Sequence, residues 1–239
     1  MQTEAELRRD LADCYRLFDW LGWSELIFNH ITVRLPDRSG AKTEYLINAF
    51  GLHYAEVTPD NLVAVDLEGN VREGTTGQVN RAGFVIHSAI HAARADAHCI
   101  MHVHTTAGSA VSCKEEGLRH DNFYSALLYD DVAYHDYEGV TTRLDEQPRL
   151  VASLGQRNHL ILRNHGLLVV GPNIPTAFNR LWVMQRACEI QLASDAGAGP
   201  NRSIPEATLK GVPATRVAGS GDMHRLIFET MLRRAGIRA

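Results

Sequence analysis

Apolar positions along the chain fall into two rhythms, and the first is helical: Leu7, Leu11, Cys14, Phe18 and Leu21 recur every three or four residues. Thr3 and Glu6 precede them as a T-x-x-E capping box and Gly22 follows, so the pattern predicts an opening helix that stops at the glycine. The second rhythm is strand-like. Ile31-Thr32-Val33-Arg34-Leu35 alternates apolar and polar residues, the polar turn Asp37-Arg38-Ser39-Gly40 follows, and an apolar run over 45–49 completes a predicted hairpin. Thr58-Pro59-Asp60 marks a turn or a short helix start. Leu62-Val63-Ala64-Val65-Asp66-Leu67 then reads as a strand closed by Glu68-Gly69-Asn70.

Asn80 is placed to cap a helix over 81–94, which leads into the apolar strand Cys99-Ile100-Met101-His102-Val103-His104. The small residues Thr105-Thr106-Ala107-Gly108-Ser109-Ala110 can open another helix at the end of that strand. Residues 123–128 and 131–137 are predicted as short strands or loops rich in tyrosine. Over 143–154 the pattern is helical again, with Pro148 fitting the first turn and Gly155 the stop. Leu160-Ile161-Leu162-Arg163-Asn164-His165-Gly166 is a second apolar strand ending in histidine, and Leu167-Leu168-Val169-Val170-Gly171 is a third. Asn173-Ile174-Pro175 opens a long helix to about Asp195, with Phe178, Leu181, Trp182, Cys188 and Leu192 on its buried face. Residues 196–221 are rich in Gly, Ala, Pro and Ser and predict an extended or partly mobile tail. An amphipathic segment over 223–234, carrying Leu226, Ile227, Met231 and Leu232, is expected to dock on the body or on another subunit.

Composition narrows the classes. A chain of 239 residues with 45% hydrophobic and 22% charged positions can bury one substantial core. A formal charge of -4 provides no basic field for nucleic acid or acidic lipid, so neither is expected as a partner. Cys14, Cys99, Cys113 and Cys188 are widely spaced, three of them inside apolar patterns, and read as buried free thiols in a reducing compartment. The polar N-terminus and the lack of an apolar run near ~20 residues predict neither a signal peptide nor a membrane span, and a cytoplasmic protein.

The strand histidines carry the candidate chemistry. His102 and His104 alternate along one strand, so they share a face and can grip one ion. His165, at the end of a different strand, would supply a third nitrogen and leave coordination positions open, the pattern of a catalytic metal site. A histidine after a strand is more commonly a hydrogen-bonded surface or core residue, and this chain has 12. His87 and His91 stand one turn apart on the helix over 81–94, also a metal-binding spacing. They weigh less, because no H-E-x-x-H arrangement completes them and a helix histidine packed beside a strand is more often a hydrogen-bonded core residue.

Several stretches in order resemble the class II aldolase/adducin family, closest to its adducin-like branch. They are Phe28-Asn29-His30-Ile31-Thr32-Val33-Arg34, Phe50-Gly51-Leu52-His53-Tyr54-Ala55-Glu56-Val57-Thr58, the run from Ala82 to Arg94, Ala133-Tyr134-His135-Asp136-Tyr137, Arg163-Asn164-His165-Gly166-Leu167 and Ala187-Cys188-Glu189-Ile190-Gln191. The likeness spans residues 7–198. It implies a sheet-centred α/β fold with flanking helices over 1–198, and composition and spacing leave 199–239 as an extended tail with a terminal amphipathic helix. It also implies a cyclic homotetramer and a divalent metal, zinc in the sugar-phosphate aldolases, with iron or manganese as alternatives, held by the residues matching His102, His104 and His165. In those aldolases the metal polarises a carbonyl and stabilises an enediolate.

Three departures limit what the resemblance carries over. The acid/base glutamate of the aldolases falls at Gly83, which can neither take nor give a proton. Their phosphate-binding Ser-Ser pair falls at Arg81-Ala82 and their Thr-Gly turn at Phe50-Gly51, so most hydroxyl donors are missing, although Arg81 could bind an anion. The tyrosine contributed by a neighbouring subunit falls near Phe123 or Tyr124. Three functions stay open. One is a metal-dependent aldolase or decarboxylase acting on a small hydroxy- or oxo-acid, with Tyr124 or His135 replacing the glutamate. The others are a non-catalytic adducin-like assembly module and an iron-dependent oxygenase on the same fold.

Overall fold

The computed structural model describes residues 2–36, 42–215 and 220–239; the predicted turn Asp37-Arg38-Ser39-Gly40 lies outside them. The chain opens with helix α1, Glu4–Trp20, whose N-cap Thr3 exchanges both capping-box hydrogen bonds with Glu6. Seven strands follow, interleaved with helices: β1 His30–Arg34, β2 Glu44–Asn48, β3 Leu62–Asp66, β4 Cys99–Val103, β5 Val132–His135, β6 His159–Leu162 and β7 Gly166–Gly171. The helices between and after them are α2 Arg81–Ala93, α3 Thr106–Ser112, α4 Phe123–Ala126, α5 Gln147–Leu154, α6 Ile174–Asp195, α7 Glu206–Thr215 and α8 Ser220–Arg234. The strands make one sheet in the order β3-β2-β1-β4-β7-β6-β5, antiparallel throughout except between β5 and β6.

Strand alternation sorts the core into two faces. Ile31 and Val33 of β1, with Cys99, Met101 and Val103 of β4, point to the side covered by α1, α6 and α8, where Phe18, Phe178 and Phe228 pack. Ile100 of β4 points the other way, to α2 and α5, among Ile86, Ile90, Leu150 and Leu154. His102 follows the parity of Ile100, and His30 and Thr32 alternate with Ile31 and Val33, so these polar side chains lie on the α2 side of the sheet. Both faces are covered, which is why the strands read as nearly continuous apolar runs.

Two expectations differ from the structure. Residues 123–128 form helix α4 and a following turn; the Asn122 side chain accepts from the Ser125 backbone N–H, and this local cap outweighs the strand preference of Phe123 and Tyr124. Within the stretch predicted as extended, Glu206–Thr215 is helical and α8 begins at Ser220, while residues 216–219 lie outside the described set. The amphipathic end docks as expected. Phe228 packs 5.5 Å from Phe178 of α6, and the Arg238 guanidinium bonds the buried carboxylates of Asp10 and Asp13 on α1 at 2.7 and 2.6 Å. Among the described residues, no helix is long and apolar enough to cross a membrane.

His87 and His91 are core residues joined by hydrogen bonds to β1. Burial, helped by the positive charge of Arg34, pushes His91 down to about 3 from its ordinary 6.5. The unfolded chain takes up this proton near pH 6.5, but the folded chain takes it up only near 3. Stability supplied by the neutral ring is therefore complete above the unfolded value and is lost as pH falls below it. Denaturant unfolding between about pH 6 and pH 4 is expected to lose about 1.4 kcal/mol per pH unit for this imidazole, and His91→Gln should remove that share of the slope.

Candidate metal centre

The ladder between β4 and β7 pairs His102 with Leu168 and Val103 with Leu167, so the end of β4 meets the start of β7. His102 is the penultimate residue of β4, and His104 stands just past the strand, immediately before Thr105, the N-cap of α3. His165 sits in the tight turn that joins β6 to β7. Asn164 makes that turn by adopting a left-handed backbone at φ 57°, a conformation asparagine tolerates better than most residues. Gly166 permits the close approach, because a Cβ there would run into the Val103 carbonyl oxygen. Helix α3 braces the turn: the His165 backbone N–H donates to Ser112 Oγ at 3.1 Å, and Ser109 Oγ donates to the His165 carbonyl at 3.0 Å. The side chain of the buried Asn29 accepts from the His104 backbone N–H at 3.1 Å.

These elements bring three Nε2 atoms together. His102 and His104 are separated by 2.8 Å, His104 and His165 by 2.9 Å, and His102 and His165 by 3.3 Å. The Leu167 carbonyl oxygen lies 2.9 Å from His102 Nδ1 and can only accept, so the neutral ring carries its hydrogen there and turns a bare Nε2 inward. Burial holds all three rings below their ordinary 6.5: His102 far below, His104 lowered against the opposing charge of Glu25, and His165 at about 4 with His104 adding to the shift. They are neutral near pH 7, the state in which imidazole binds metal.

The donor set fits a divalent ion. Nitrogens bound at ~2.0–2.1 Å to one tetrahedral ion stand roughly 3.3 Å apart, close to the separations here. Lone pairs converging this tightly repel unless a proton or a cation lies among them. No other group of three or more His, Cys, Asp or Glu side chains with such convergence occurs among the described residues.

The remaining candidates are placed differently. His87 and His91 are tied to Thr32 and His30 and take no part in the triad. His135 lines a small groove with His165, but its nitrogens face Ser153 Oγ at 2.9 Å and Glu146 Oε1 at 3.4 Å. Tyr124 lies on α4 beside the exposed Phe123, partly buried against the core. Arg81 donates to the Thr142 carbonyl at 3.2 Å and stands near the Phe84 ring. Two residues escaped the spacing argument. Glu146 is a buried carboxylate in the His135 groove, and nothing in Leu144-Asp145-Glu146 signals that. His30 is buried beside His102, and the period-two pattern that pairs it with Thr32 would have shown it facing α2.

Residues 9–192 match the family described as Class II Aldolase and Adducin N-terminal domain. Mouse alpha-adducin is 43% identical over 245 residues, covering 96% of this chain and 33% of the adducin. The crystal structure of an aldolase II superfamily protein from Pseudomonas syringae superposes with a TM-score of 0.90 at 39% identity, covering 98% of this chain and 94% of that one. L-fuculose 1-phosphate aldolase from Glaciozyma antarctica gives 0.84 at 31% identity, covering 98% and 91%.

Because a side chain at position 166 collides with Val103, Gly166→Ala is expected to push the His165 turn away from β4. Zinc affinity, read by competition with a chromophoric chelator, should fall at least about tenfold, with a stability loss of about 1–3 kcal/mol.

Proposed function

Since the chain belongs to the class II aldolase and adducin family, we propose that it is a metal-dependent carbon–carbon lyase, an aldolase or decarboxylase, acting on a small hydroxy- or oxo-acid. The convergence of three neutral imidazoles at the mouth of β4 and β7 carries this reading. His102, His104 and His165 would hold the ion, zinc first, with iron or manganese also suited to three nitrogens. A divalent ion there would polarise a substrate oxygen and stabilise the negative charge that develops when a carbon–carbon bond breaks.

The chain's own residues supply the rest. Leu167 O, Ser112, Ser109 and Asn29 fix where the imidazoles stand, so the site is organised before substrate arrives. His135, held by Ser153 and Glu146 in the groove shared with His165, is the proton carrier this reading favours within one subunit. Tyr124 would serve from a neighbouring subunit of a homotetramer. Gly83 offers no carboxylate, and Phe50 and Ala82 offer no hydroxyl to a phosphate, so a sugar phosphate is disfavoured. The likeness to adducins, whose branch includes non-catalytic members, favours a binding module as the second reading.

Two measurements separate these readings. Metal content of the purified protein should fall at least about tenfold in each of His102→Ala, His104→Ala and His165→Ala and stay unchanged in His87→Gln. Full occupancy in all three alanine variants would sink the centre. The second is an assay of the zinc-loaded protein on L-fuculose 1-phosphate, the substrate of the similar aldolase from Glaciozyma antarctica, beside a panel of small hydroxy acids. Negligible cleavage of the phosphate with turnover of an acid is expected. Robust phosphate cleavage would overturn the substrate assignment, and inactivity on every acid would favour the binding module.

A further inference from the structure

Beside the triad runs a chain of hydrogen bonds that the proposed chemistry leaves unused. His30 and Thr32 share the face of β1 that looks onto α2, and His87 and His91 stand one turn apart on α2 opposite them. His30 Nδ1 is 2.8 Å from His87 Nε2, His87 Nδ1 is 2.6 Å from Thr32 Oγ1, and Thr32 Oγ1 is 2.9 Å from His91 Nε2. His91 Nδ1 ends the chain 2.9 Å from the Ala97 carbonyl oxygen. All four side chains are buried.

The terminal carbonyl decides the direction of every bond. Ala97 O can only accept, so His91 Nδ1 carries a hydrogen. Each of the three buried rings bonds only a ring nitrogen, a hydroxyl or a carbonyl and no carboxylate, so each is neutral, and His91 Nε2 is bare and takes the single hydroxyl hydrogen of Thr32. Thr32 Oγ1 must then accept from His87 Nδ1–H, and His87 Nε2 from His30 Nδ1–H. His30 Nε2 is left with a lone pair and no hydrogen.

That lone pair belongs to a ring packed beside the triad. Nε2 has no hydrogen-bond partner among the described residues, and it is not among the fully enclosed polar atoms that lack one, so it keeps contact with solvent although His30 is only 2% exposed. His30 pairs with His102 across β1 and β4, and their ring centroids are 4.9 Å apart. The ring lies over Gly83: a Cβ there would come within 2.9 Å of His30 Cδ2 and 3.4 Å of Nε2. The position without a side chain is therefore filled by an imidazole.

We propose that His30 is the substrate-hydroxyl acceptor of this site: an imidazole fixed as the Nδ1–H tautomer, whose Nε2 accepts the hydrogen bond of a small hydroxy acid. Thr32, His87 and His91 are positioning residues that act through it. A keto or ether oxygen in the same place would set lone pair against lone pair, so the acceptor selects hydroxy acids over oxo-acids. The relay works by fixing a tautomer, and no proton is gained or lost. The choice of ligand rests on the lyase reading above; the relay does not.

The test combines histidine-ring 15N spectra of the full chain, with and without zinc, and equilibrium binding of glycolate and acetate, which differ by one hydroxyl. In the unaltered protein His30 should show a protonated Nδ1 and a bare Nε2 in both states, and glycolate but not acetate should shift the Nε2 signal of the zinc-loaded protein. Thr32→Val should release the single tautomers of His30 and His87 and lower glycolate affinity about tenfold relative to acetate, the worth of one hydrogen bond. Thr32→Ser keeps the hydroxyl and should restore both properties. His30→Phe should lose the same share of glycolate preference while keeping its fold by circular dichroism. A hydrogen on His30 Nε2, or unchanged ring signals in Thr32→Val, would overturn the relay. Failure of glycolate to bind or to shift Nε2, or an unchanged glycolate-to-acetate ratio in His30→Phe, would overturn the acceptor. Zinc content of the same samples reports separately on the metal centre, so an ordered relay without bound zinc would fault the lyase reading alone.

Discussion

The antiparallel ladder between β4 and β7 is the interaction on which the site depends. It fixes His102 and His104 against the turn that carries His165, residues 63 and 61 positions apart in the chain. Backbone hydrogen bonds set the register, and a slip of one residue would turn His102 toward the α1 and α6 side among Met101's neighbours. The turn tolerates its tightness because Asn164 takes the left-handed backbone and Gly166 lacks a Cβ. The same ladder supplies the Leu167 carbonyl that orients His102. Register, tautomer and convergence therefore follow from one strand pairing.

A second constraint is the burial of so many imidazoles on one side of a sheet. Polar groups leave water at a cost unless each finds a partner, and the α2 side meets this with chains of bonds rather than with charges. His91 is anchored by Ala97, Thr32 links it to His87, and His87 holds His30. Gly83 belongs to this arrangement. A glutamate in its place would need the volume that the His30 ring fills, so the bare backbone at position 83 and the buried imidazole are two sides of one packing solution.

Much of this was legible in the sequence. Helical spacing from Leu7 and the Thr3–Glu6 box located α1, and Asn80 and Asn173 marked the starts of α2 and α6. His102 and His104 were legible because a strand alternates, and His165 because it ended a second apolar run beside a glycine. The Asn122 cap was harder to read, since Phe123 and Tyr124 favour strands and a four-residue helix has too few positions for periodicity. Glycine, alanine and proline around α7 hid a helix that composition alone does not predict. Glu146 and the occupation of the Gly83 space by His30 depend on contacts between distant elements, which neither spacing nor composition encodes.

The most direct test of the central claim is a crystal of the zinc-loaded protein measured on both sides of the zinc absorption edge. One strong anomalous peak is expected about 2.0–2.2 Å from the Nε2 atoms of His102, His104 and His165. An ordered triad without a peak, or a peak bound instead by His87 and His91, would contradict it.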